Sequence, residues 1–258
     1  NAAERTLDMQ YFIFRGDDTG RLLTDAALRA ADRGVRVRLL IDDGETIAGD
    51  DQVEALSSHP SIEIRVFNPF RYRGYRKAIR ATEFILNKSR LNYRMHNKLL
   101  VVDNSAALIG GRNIGDQYFQ ISAEEQYADN DVFAVGPIVR NVSASFDEFW
   151  NNALSIPNEA LASAKTSRGA LKEHRELTTE APAEIDADGI DFVKRVNSGE
   201  PFNGLISGRL PMVWAPAQLI GDSPDKKSVE DGSKSGRSIL RPLSRATLAV
   251  QSELLMIT

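Results

Sequence analysis

The sequence predicts an α/β fold with a mixed, largely parallel β-sheet flanked by helices. An apolar run at 7–14, a helical repeat of Leu and Ala over 22–31 and a second apolar run at 35–41 follow one another. This order is typical of a βαβ unit, which implies a parallel strand pair with a right-handed crossover. Two later apolar runs, separated by an Asp-Asn-Ser turn at 103–105, predict two more strands.

Composition limits the classes of function. The chain has 258 residues, of which 42% are hydrophobic and 26% charged, as is usual for a globular protein. Its net charge of −4 argues against a general nucleic-acid binder. It contains no cysteine and three scattered histidines, so disulfides and thiolate metal sites are excluded and a zinc site is not expected. We therefore expect neither a metal nor a cofactor.

The first βαβ unit carries clear boundary signals. Asp17 is placed to cap the first helix, and Gly34 is placed to end it. A second helix is predicted over Ala48–Ser58 and a third strand over Ser61–Phe67, with His59 as a surface residue in the loop between them. Strands that alternate with helices in this way favour an α/β sheet.

Two carboxylates, Asp42 and Asp43, end the second strand, at the edge where open α/β sheets bind ligands. They allow two interpretations: a metal or acid–base site, or a turn in which carboxylates cap backbone N–H groups. The capping role is the commoner one for such residues, and we favour it.

The segment Phe70–Arg80 contains four arginines, one lysine and three aromatic residues. Three interpretations are open: a solvated basic helix, a nucleic-acid contact built from cationic and stacking groups, or a surface for anionic lipid headgroups. The solvated helix is the commonest case for a run of charges. The family resemblance described below favours the lipid surface over the nucleic-acid contact.

The residues that point to chemistry lie in 95–113, MHNKLLVVDNSAALIGGRN. His96 and Lys98 are two apart, so on a strand their side chains lie on the same face. An unpaired buried lysine is costly, which suggests that the pair faces a bound anion. Asn113 adds an amide donor, and the glycine pair 110–111 allows backbone N–H groups to approach a ligand. Together these donors suit a phosphoryl group.

The spacing His96-x-Lys98-x-x-x-x-Asp103, six further residues and then Gly-Gly-x-Asn113 resembles the HKD motif of the phospholipase D superfamily. The glycine pair replaces the more usual Gly-Ser. The runs GGRNIGDQYF and DVFAVGPIV resemble the bacterial cardiolipin synthase branch of that superfamily. The resemblance covers residues 1–155 well and the rest weakly, and it implies a phospholipase D-like fold.

The resemblance implies covalent catalysis through a phosphohistidine, with His96 as the nucleophile or as the general acid. Lys98 and Asn113 would hold the phosphoryl oxygens, and no metal is needed if two lysines supply the positive charge. The substrate-binding residues that it implies are Gly110, Gly111 and Arg112.

Two acidic residues receive different roles. Asp131 corresponds to the family's carboxylate near the motif histidine, which would fix the imidazole tautomer. Asp103 is five residues from Lys98, so on a regular strand it points to the opposite face, and we assign it to holding the turn. Three other carboxylates are rivals for the role of Asp131: Glu124, Glu125 and Asp129.

The rest of the chain predicts a helix, a connector and a second repeat. Pro137–Trp150 has the pattern of an amphipathic helix, and the charged stretch 157–200, with an exposed His174, that of a connector. A strand is predicted over Leu210–Ile220 around Trp214, and Asp222–Arg237 is predicted to be a loop.

The C-terminal stretch resembles the beginning of the chain. A helix is predicted over Ser238–Gln251, and Ser252–Thr258 has the pattern of a strand similar to Thr6–Phe14. We therefore expect residues 1–155 to form a first catalytic repeat. Residues 156–258 would form a connector and the opening strand of a truncated second repeat.

The resemblance implies a phosphatidyltransferase or phosphodiesterase that acts on phospholipids at a membrane surface. Its partner would be a second HKD half in the same gene product, or a second copy of the chain. The alternatives are a single-motif phosphodiesterase or nuclease that works as a homodimer, and a non-catalytic phosphate- or lipid-binding module. The resemblance also implies a bacterial cytoplasmic or inner-membrane-peripheral location, and it leaves the acceptor open between water, glycerol and phospholipid.

Overall fold

The computed structural model describes residues 3–44, 50–71, 77–91, 93–119, 121, 126–161, 171–172, 175, 194, 198–225 and 237–252. These residues contain a seven-stranded sheet with the strand order β6-β5-β4-β1-β2-β3-β7. The strands are β1 (Thr6–Tyr11), β2 (Arg36–Asp42), β3 (Ile62–Phe67), β4 (Leu99–Val102), β5 (Ala106–Gly110), β6 (Asp131–Val135) and β7 (Ser155–Pro157). The helices are α1 (Asp18–Asp32), α2 (Asp50–Ser57), α3 (Lys77–Leu86), α4 (Lys88–Leu91), α5 (Ile138–Trp150), α6 (Glu200–Ile206) and α7 (Leu240–Leu248).

The α/β class and the mixed sheet are confirmed, but the sheet is not largely parallel. The β1–β2 and β2–β3 pairs are parallel, as the βαβ pattern predicted, and the other four pairs are antiparallel. The reason lies partly in the turn between β4 and β5. Asp103 and Asn104 both have positive φ, 51° and 52°, which is the geometry of a tight hairpin turn. Such a turn joins only antiparallel strands.

The two faces of the sheet carry two apolar clusters, because alternate residues of each strand point to opposite sides. On one face, residues such as Met9, Leu39 and Ile64 pack with apolar side chains of α1 and α2. On the other face, Leu40 and Val101 pack with the buried side of α5, formed by Val142, Phe146, Phe149 and Trp150. The predicted apolar face of α5 is therefore confirmed.

Local signals around α1 succeeded, and one nearby prediction failed. The Asp17 side chain accepts a hydrogen bond from the Gly20 N–H, and Gly34 ends the helix with φ +89°.

His59, predicted to lie on the surface, is buried. Its Nδ1 accepts from the Ser61 N–H at 3.1 Å, and its Nε2 lies 3.4 Å from the Asp32 carboxylate. Its burial depends on α1, which is distant in sequence.

The C-terminal part agrees only in part with the sequence predictions. Residues 209–223 contain no strand, and Trp214 is exposed, so the predicted strand over Leu210–Ile220 is wrong. Helix α7 lies within the predicted Ser238–Gln251. The predicted strand beyond it lies outside the described residues from residue 253 onward, as do Glu124, Glu125 and His174. No helix in the described ranges is both long and apolar enough to cross a membrane.

Candidate active site

His96 and Lys98 lie in an extended segment that leads directly into β4. Strand β4 is central, because it pairs with β1 on one side and β5 on the other. The Gly110 N–H donates to the Lys98 carbonyl at 3.4 Å, so the β4–β5 ladder continues back to Lys98. His96 is exposed, whereas Lys98 is buried. The segment thus carries the pair from solvent into the end of the sheet.

The two side chains contact each other, as expected for residues on one face. The Lys98 ammonium lies 3.0 Å from Nδ1 and 3.5 Å from Nε2 of the imidazole, and it donates to the His96 carbonyl at 2.8 Å. An ammonium has no lone pair and can only donate, so the ring nitrogen that it contacts acts as the acceptor. Only an imidazole with a free ring lone pair can make this contact.

Phe12 is a site residue that the sequence analysis missed. Its ring centroid lies 4.7 Å from that of His96 and 5.5 Å from the Lys98 ammonium. A cation near an aromatic ring is attracted by the ring's quadrupole, and the ring also limits how far the imidazole can turn. The signal was the apolar run at 7–14, which continues past the end of β1.

The ammonium of Lys98 is held in a dry environment. Burial lowers the pKa of Lys98 to about 8, and the nearby Asp129 carboxylate acts in the opposite direction. A desolvated cation interacts more strongly with an incoming anion than a cation in water does. The surroundings of Lys98 therefore suit the binding of a phosphoryl oxygen.

A row of residues crosses the sheet at this level, from Lys98 just before β4 through Gly110 on β5 to Asp131 on β6. A Cβ on Gly110 would lie 1.8 Å from Asp131 Oδ1 and 2.6 Å from the Asn130 carbonyl oxygen. A Cβ on Gly111 would lie 2.3 Å from Asp129 Oδ1. The glycine pair therefore makes room for two carboxylates.

The same glycines already use their backbone donors. The Gly110 N–H donates to Lys98 and the Gly111 N–H to Asn130, both over 3.4 Å. These are long hydrogen bonds within the sheet and its edge. The binding of substrate by these two amides stays a prediction, and it requires the long bonds to give way.

Arg112 connects the Asp131 carboxylate to the backbone of Asp129. Its Nε lies 3.0 Å from Asp131 Oδ2, and its Nη2 donates to the Asp129 carbonyl at 2.9 Å. The guanidinium also lies 5.4 Å from the Phe119 ring centroid. In the structure Asp131 forms an ion pair with Arg112, whereas the family resemblance implied a contact with the His96 imidazole. Of the rival carboxylates, Asp129 lies among the described residues, and its charge acts on Lys98; Glu124 and Glu125 lie outside them.

Asn113 lies buried at the base of the site. Its Oδ1 accepts from the Ile13 N–H at 3.0 Å, and its Nδ2 donates to the Tyr118 hydroxyl at 3.0 Å. These contacts tie the loop after β5 to the chain that follows β1. A role for Asn113 in holding a phosphoryl oxygen stays a prediction.

Asp103 makes the contacts of a structural residue. Its carboxylate accepts hydrogen bonds from three backbone N–H groups at the start of β1, those of Glu4, Arg5 and Thr6, at 2.7 to 2.9 Å. Partial burial acts to raise the pKa of Asp103, but the three donors outweigh it and hold the pKa below its ordinary value. The side chain thus fixes the β4–β5 turn to the edge of β1.

The carboxylates at the end of β2 act as backbone acceptors. Asp42 is fully buried and accepts from the N–H groups of Met95 at 2.9 Å and Gly44 at 2.7 Å, and from Arg94 at 3.1 Å. Burial raises the pKa of Asp42 to about 6, although Arg94 and the two N–H groups act against it. Asp43 accepts from the Phe70 N–H at 2.7 Å. This is the capping role that the sequence favoured.

A cavity of about 120 Å³ opens beside the pair, and no cluster of three potential metal ligands occurs among the described side chains. The cavity has both charged and apolar walls. Its lining residues are Tyr11, Lys98, Leu99, Leu108, Gly110, Arg112, Ile114, Phe119 and Asp131.

Comparison with known proteins gives a consistent result. The sequence model of the family described as "Cardiolipin synthase, PLD-like domain" matches residues 1–150. Cardiolipin synthase C of Escherichia coli K12 is 42% identical over 226 residues, which cover 87% of this chain and 46% of that protein. Major cardiolipin synthase ClsA of Bacillus subtilis is 30% identical over 154 residues, covering 58% of this chain and 29% of that protein.

The chain spans about half the length of the first curated relatives that it matches. Among solved structures, NucT from Helicobacter pylori superposes with a TM-score of 0.43 at 14% identity, over 60% of this chain and 84% of that one.

Proposed function

This chain belongs to the phospholipase D superfamily, in its cardiolipin synthase-like branch, and we propose that it carries one histidine of a phosphatidyltransferase that acts on phospholipids. The observation that supports this most is the contact between His96 and the buried Lys98 ammonium. An imidazole and a dry cation on one face are the minimum needed to attack phosphorus and to hold its oxygens.

In the proposed reaction, His96 is the nucleophile. In the free protein a ring nitrogen of His96 accepts a hydrogen bond from the Lys98 ammonium. When the lipid binds, a phosphoryl oxygen becomes the acceptor for that ammonium, and the lone pair of the ring nitrogen is released. The ring nitrogen then forms a bond to phosphorus, and the bond from phosphorus to the leaving oxygen breaks. An acceptor hydroxyl later attacks phosphorus and loses its proton to the group that protonated the leaving oxygen, while the N–P bond breaks and the histidine is regenerated.

The leaving oxygen needs a proton, and a general acid typically contributes about 10²–10⁴-fold to the rate. The sequence holds no second HxK: His59 is buried against Asp32, and His174 is followed by Arg and Glu. We therefore assign the acid to a histidine from another part of the gene product or from a second copy of the chain. In this arrangement residues 1–155 form the first catalytic repeat, and 156–258 the connector and the start of the next.

The test is turnover of phosphatidylglycerol in detergent micelles by the full-length gene product, with release of glycerol as the readout. We expect activity in the wild type and its loss in His96→Ala and Lys98→Ala. Single-stranded DNA is the second substrate. Cleavage of DNA without turnover of lipid would replace the proposal with the single-motif nuclease, and binding of either without turnover would leave a non-catalytic module.

A further inference from the structure

The last turn of α3 buries its charged residue and exposes its apolar residues, the reverse of an ordinary surface helix. Its charged residue Glu83 is 5% exposed, whereas its aliphatic residues Ile85 and Leu86 are 74% and 76% exposed. The neighbouring Phe84 is 36% exposed. A helix on the surface of a soluble domain normally buries its apolar side and exposes its charges. Single exposed apolar residues are common on proteins, whereas several exposed together mark an interaction site.

Polar contacts fix this orientation. The Glu83 carboxylate accepts from the Arg71 N–H at 3.0 Å and pairs with the Arg90 guanidinium at 3.0 Å. Arg90 donates in turn to Asn68 Oδ1 at 2.8 Å and to the Pro69 carbonyl at 3.1 Å. Rotating α3 to bury the aliphatic residues would separate the buried Glu83 carboxylate from its hydrogen-bond and ion-pair partners, which is unfavourable. The helix therefore keeps its apolar residues outward.

The charge of this segment is opposite to that of the whole chain. Residues 70–91 contain seven basic residues and one acidic residue, whereas the chain has a net charge of −4. The one acidic residue is Glu83, which is buried and paired with Arg90. Lys88, on α4, is exposed beside the apolar residues. The outward side of the segment thus combines aliphatic side chains with positive charge.

We propose that Phe84, Ile85, Leu86 and Lys88 form a docking surface that binds an anionic phospholipid bilayer. The aliphatic side chains enter the boundary between headgroups and acyl chains, and the exposed Lys88 ammonium contacts the anionic headgroups. The inference rests on the proposed function, because a phospholipid substrate is presented in a bilayer. Nucleic acid fits less well, because bases stack on aromatic rings and gain little from exposed Ile and Leu.

Hydrogen bonds fix the segment that joins the docking surface to the HxK pair. Asn68 Nδ2 donates both to the Arg90 carbonyl at 2.8 Å and to the Tyr93 carbonyl at 2.7 Å. Asp42 then holds the Met95 N–H, immediately before His96. A bilayer bound at α3 and α4 is therefore fixed in position relative to the motif, so docking also presents the substrate.

The experiment is sedimentation of the full-length gene product with two kinds of vesicle, phosphatidylcholine alone and phosphatidylcholine with phosphatidylglycerol, at low and high salt. We expect binding to the anionic vesicles that weakens at high salt. The Ile85→Ser/Leu86→Ser variant should bind them roughly tenfold to a hundredfold more weakly, because two aliphatic side chains no longer insert. The matched control is Leu240→Ser/Leu248→Ser, which changes two exposed leucines of α7 and should bind like the wild type.

The docking surface would be overturned if the wild type bound both kinds of vesicle equally, or if the α3 variant bound anionic vesicles as tightly as the wild type. It would also be overturned if the α7 control lost as much vesicle binding as the α3 variant. The fourth such result is a lower melting temperature, or a smaller oligomer, for the α3 variant than for the wild type. The last would show that protein covers the surface. Loss of oligonucleotide binding in the α3 variant, with vesicle binding intact, would assign the surface to nucleic acid. Vesicle binding without turnover of micellar lipid would instead overturn the proposed function alone.

Discussion

The buried carboxylate of Asp42 accepts a hydrogen bond from the backbone N–H of Met95, at 2.9 Å. Met95 directly precedes His96, so the end of β2 positions the start of the motif from 53 residues away in the chain. The sequence offered this carboxylate as a metal ligand or a cap. Its actual contacts make it the anchor of the HxK segment.

We predict that Asp42→Ala lowers the free energy of unfolding by about 3–5 kcal/mol, because it leaves the N–H groups of Met95 and Gly44 without their acceptor and removes the ion-pair partner of Arg94. The matched control is Asp147→Ala. Asp147 also pairs with an arginine, Arg38, at 2.9 Å, but its side chain is 48% exposed, so its loss should cost about 1 kcal/mol or less. Urea denaturation measures both, and equal losses would show that Asp42 is not a buried anchor.

A second prediction concerns pH. The pKa of Lys98 is lowered to about 8 by burial, so kcat/KM for lipid should fall as pH rises through about 8 and the ammonium is lost. In Lys98→Arg the alkaline fall should move to higher pH, because the guanidinium stays charged. An alkaline limb that is identical in the wild type and Lys98→Arg would remove Lys98 from substrate binding.

The lowered pKa of Lys98 also predicts that stability changes with pH in the direction opposite to activity. Because the folded-state pKa of Lys98 is lowered, the unfolded chain binds more protons than the folded chain between about pH 8 and the ordinary lysine pKa of 10.5. The contribution of Lys98 to stability therefore rises with pH across this window. Below this pH window, Lys98→Met should be as stable as the wild type or more stable, and it should lose turnover. A clear loss of stability in Lys98→Met would show that Lys98 is mainly structural.

Asp103→Asn tests the division of roles within the motif. The amide oxygen is a weaker acceptor for the three N–H groups of β1, so we expect a loss of about 1–3 kcal/mol in unfolding free energy and little change in kcat. Because the pKa of Asp103 is lowered, its contribution is present above the ordinary aspartate pKa and is lost as pH falls through the folded-state pKa. A normal melting temperature with abolished turnover would contradict this assignment.

The two glycines provide a matched pair of substitutions. Gly110→Ala places a methyl group against the Asn130 carbonyl and the Asp131 backbone, so we expect a loss of about 1–3 kcal/mol. Gly111→Ala meets only the Asp129 side chain, which can turn away, so its cost should be smaller. Thermal unfolding of both variants measures the difference. A larger effect at Gly111 would mean that the carboxylates are not packed over the glycines as described.

Local patterns predicted much of the fold. The βαβ unit, the Asp17 cap, the hairpin turn at Asp103 and the apolar side of α5 depend on residues close together in the chain, and all are confirmed. The HxK spacing likewise predicted that His96 and Lys98 share a face. Periodicity and turn chemistry suffice for such features.

The sequence failed where partners are distant in the chain. His59 is buried, and its contact with Asp32 joins residues that are distant in the chain. The apolar residues around Trp214 favoured a strand, but no neighbour in the described sheet pairs with them. The antiparallel pairing of β4 with β1 also joins residues that are distant in the chain. None of these contacts leaves a periodic signal in the residues that make it.

The central claim is that His96 attacks phosphorus, and intact-mass analysis tests it most directly. The full-length gene product is mixed with phosphatidylglycerol and quenched in the first turnover, beside a His96→Ala control. We predict an added phosphatidyl mass in the wild type and its absence in the control. An adduct that survives in His96→Ala would contradict the account, because the nucleophile would then be another residue and His96 would be left as the acid.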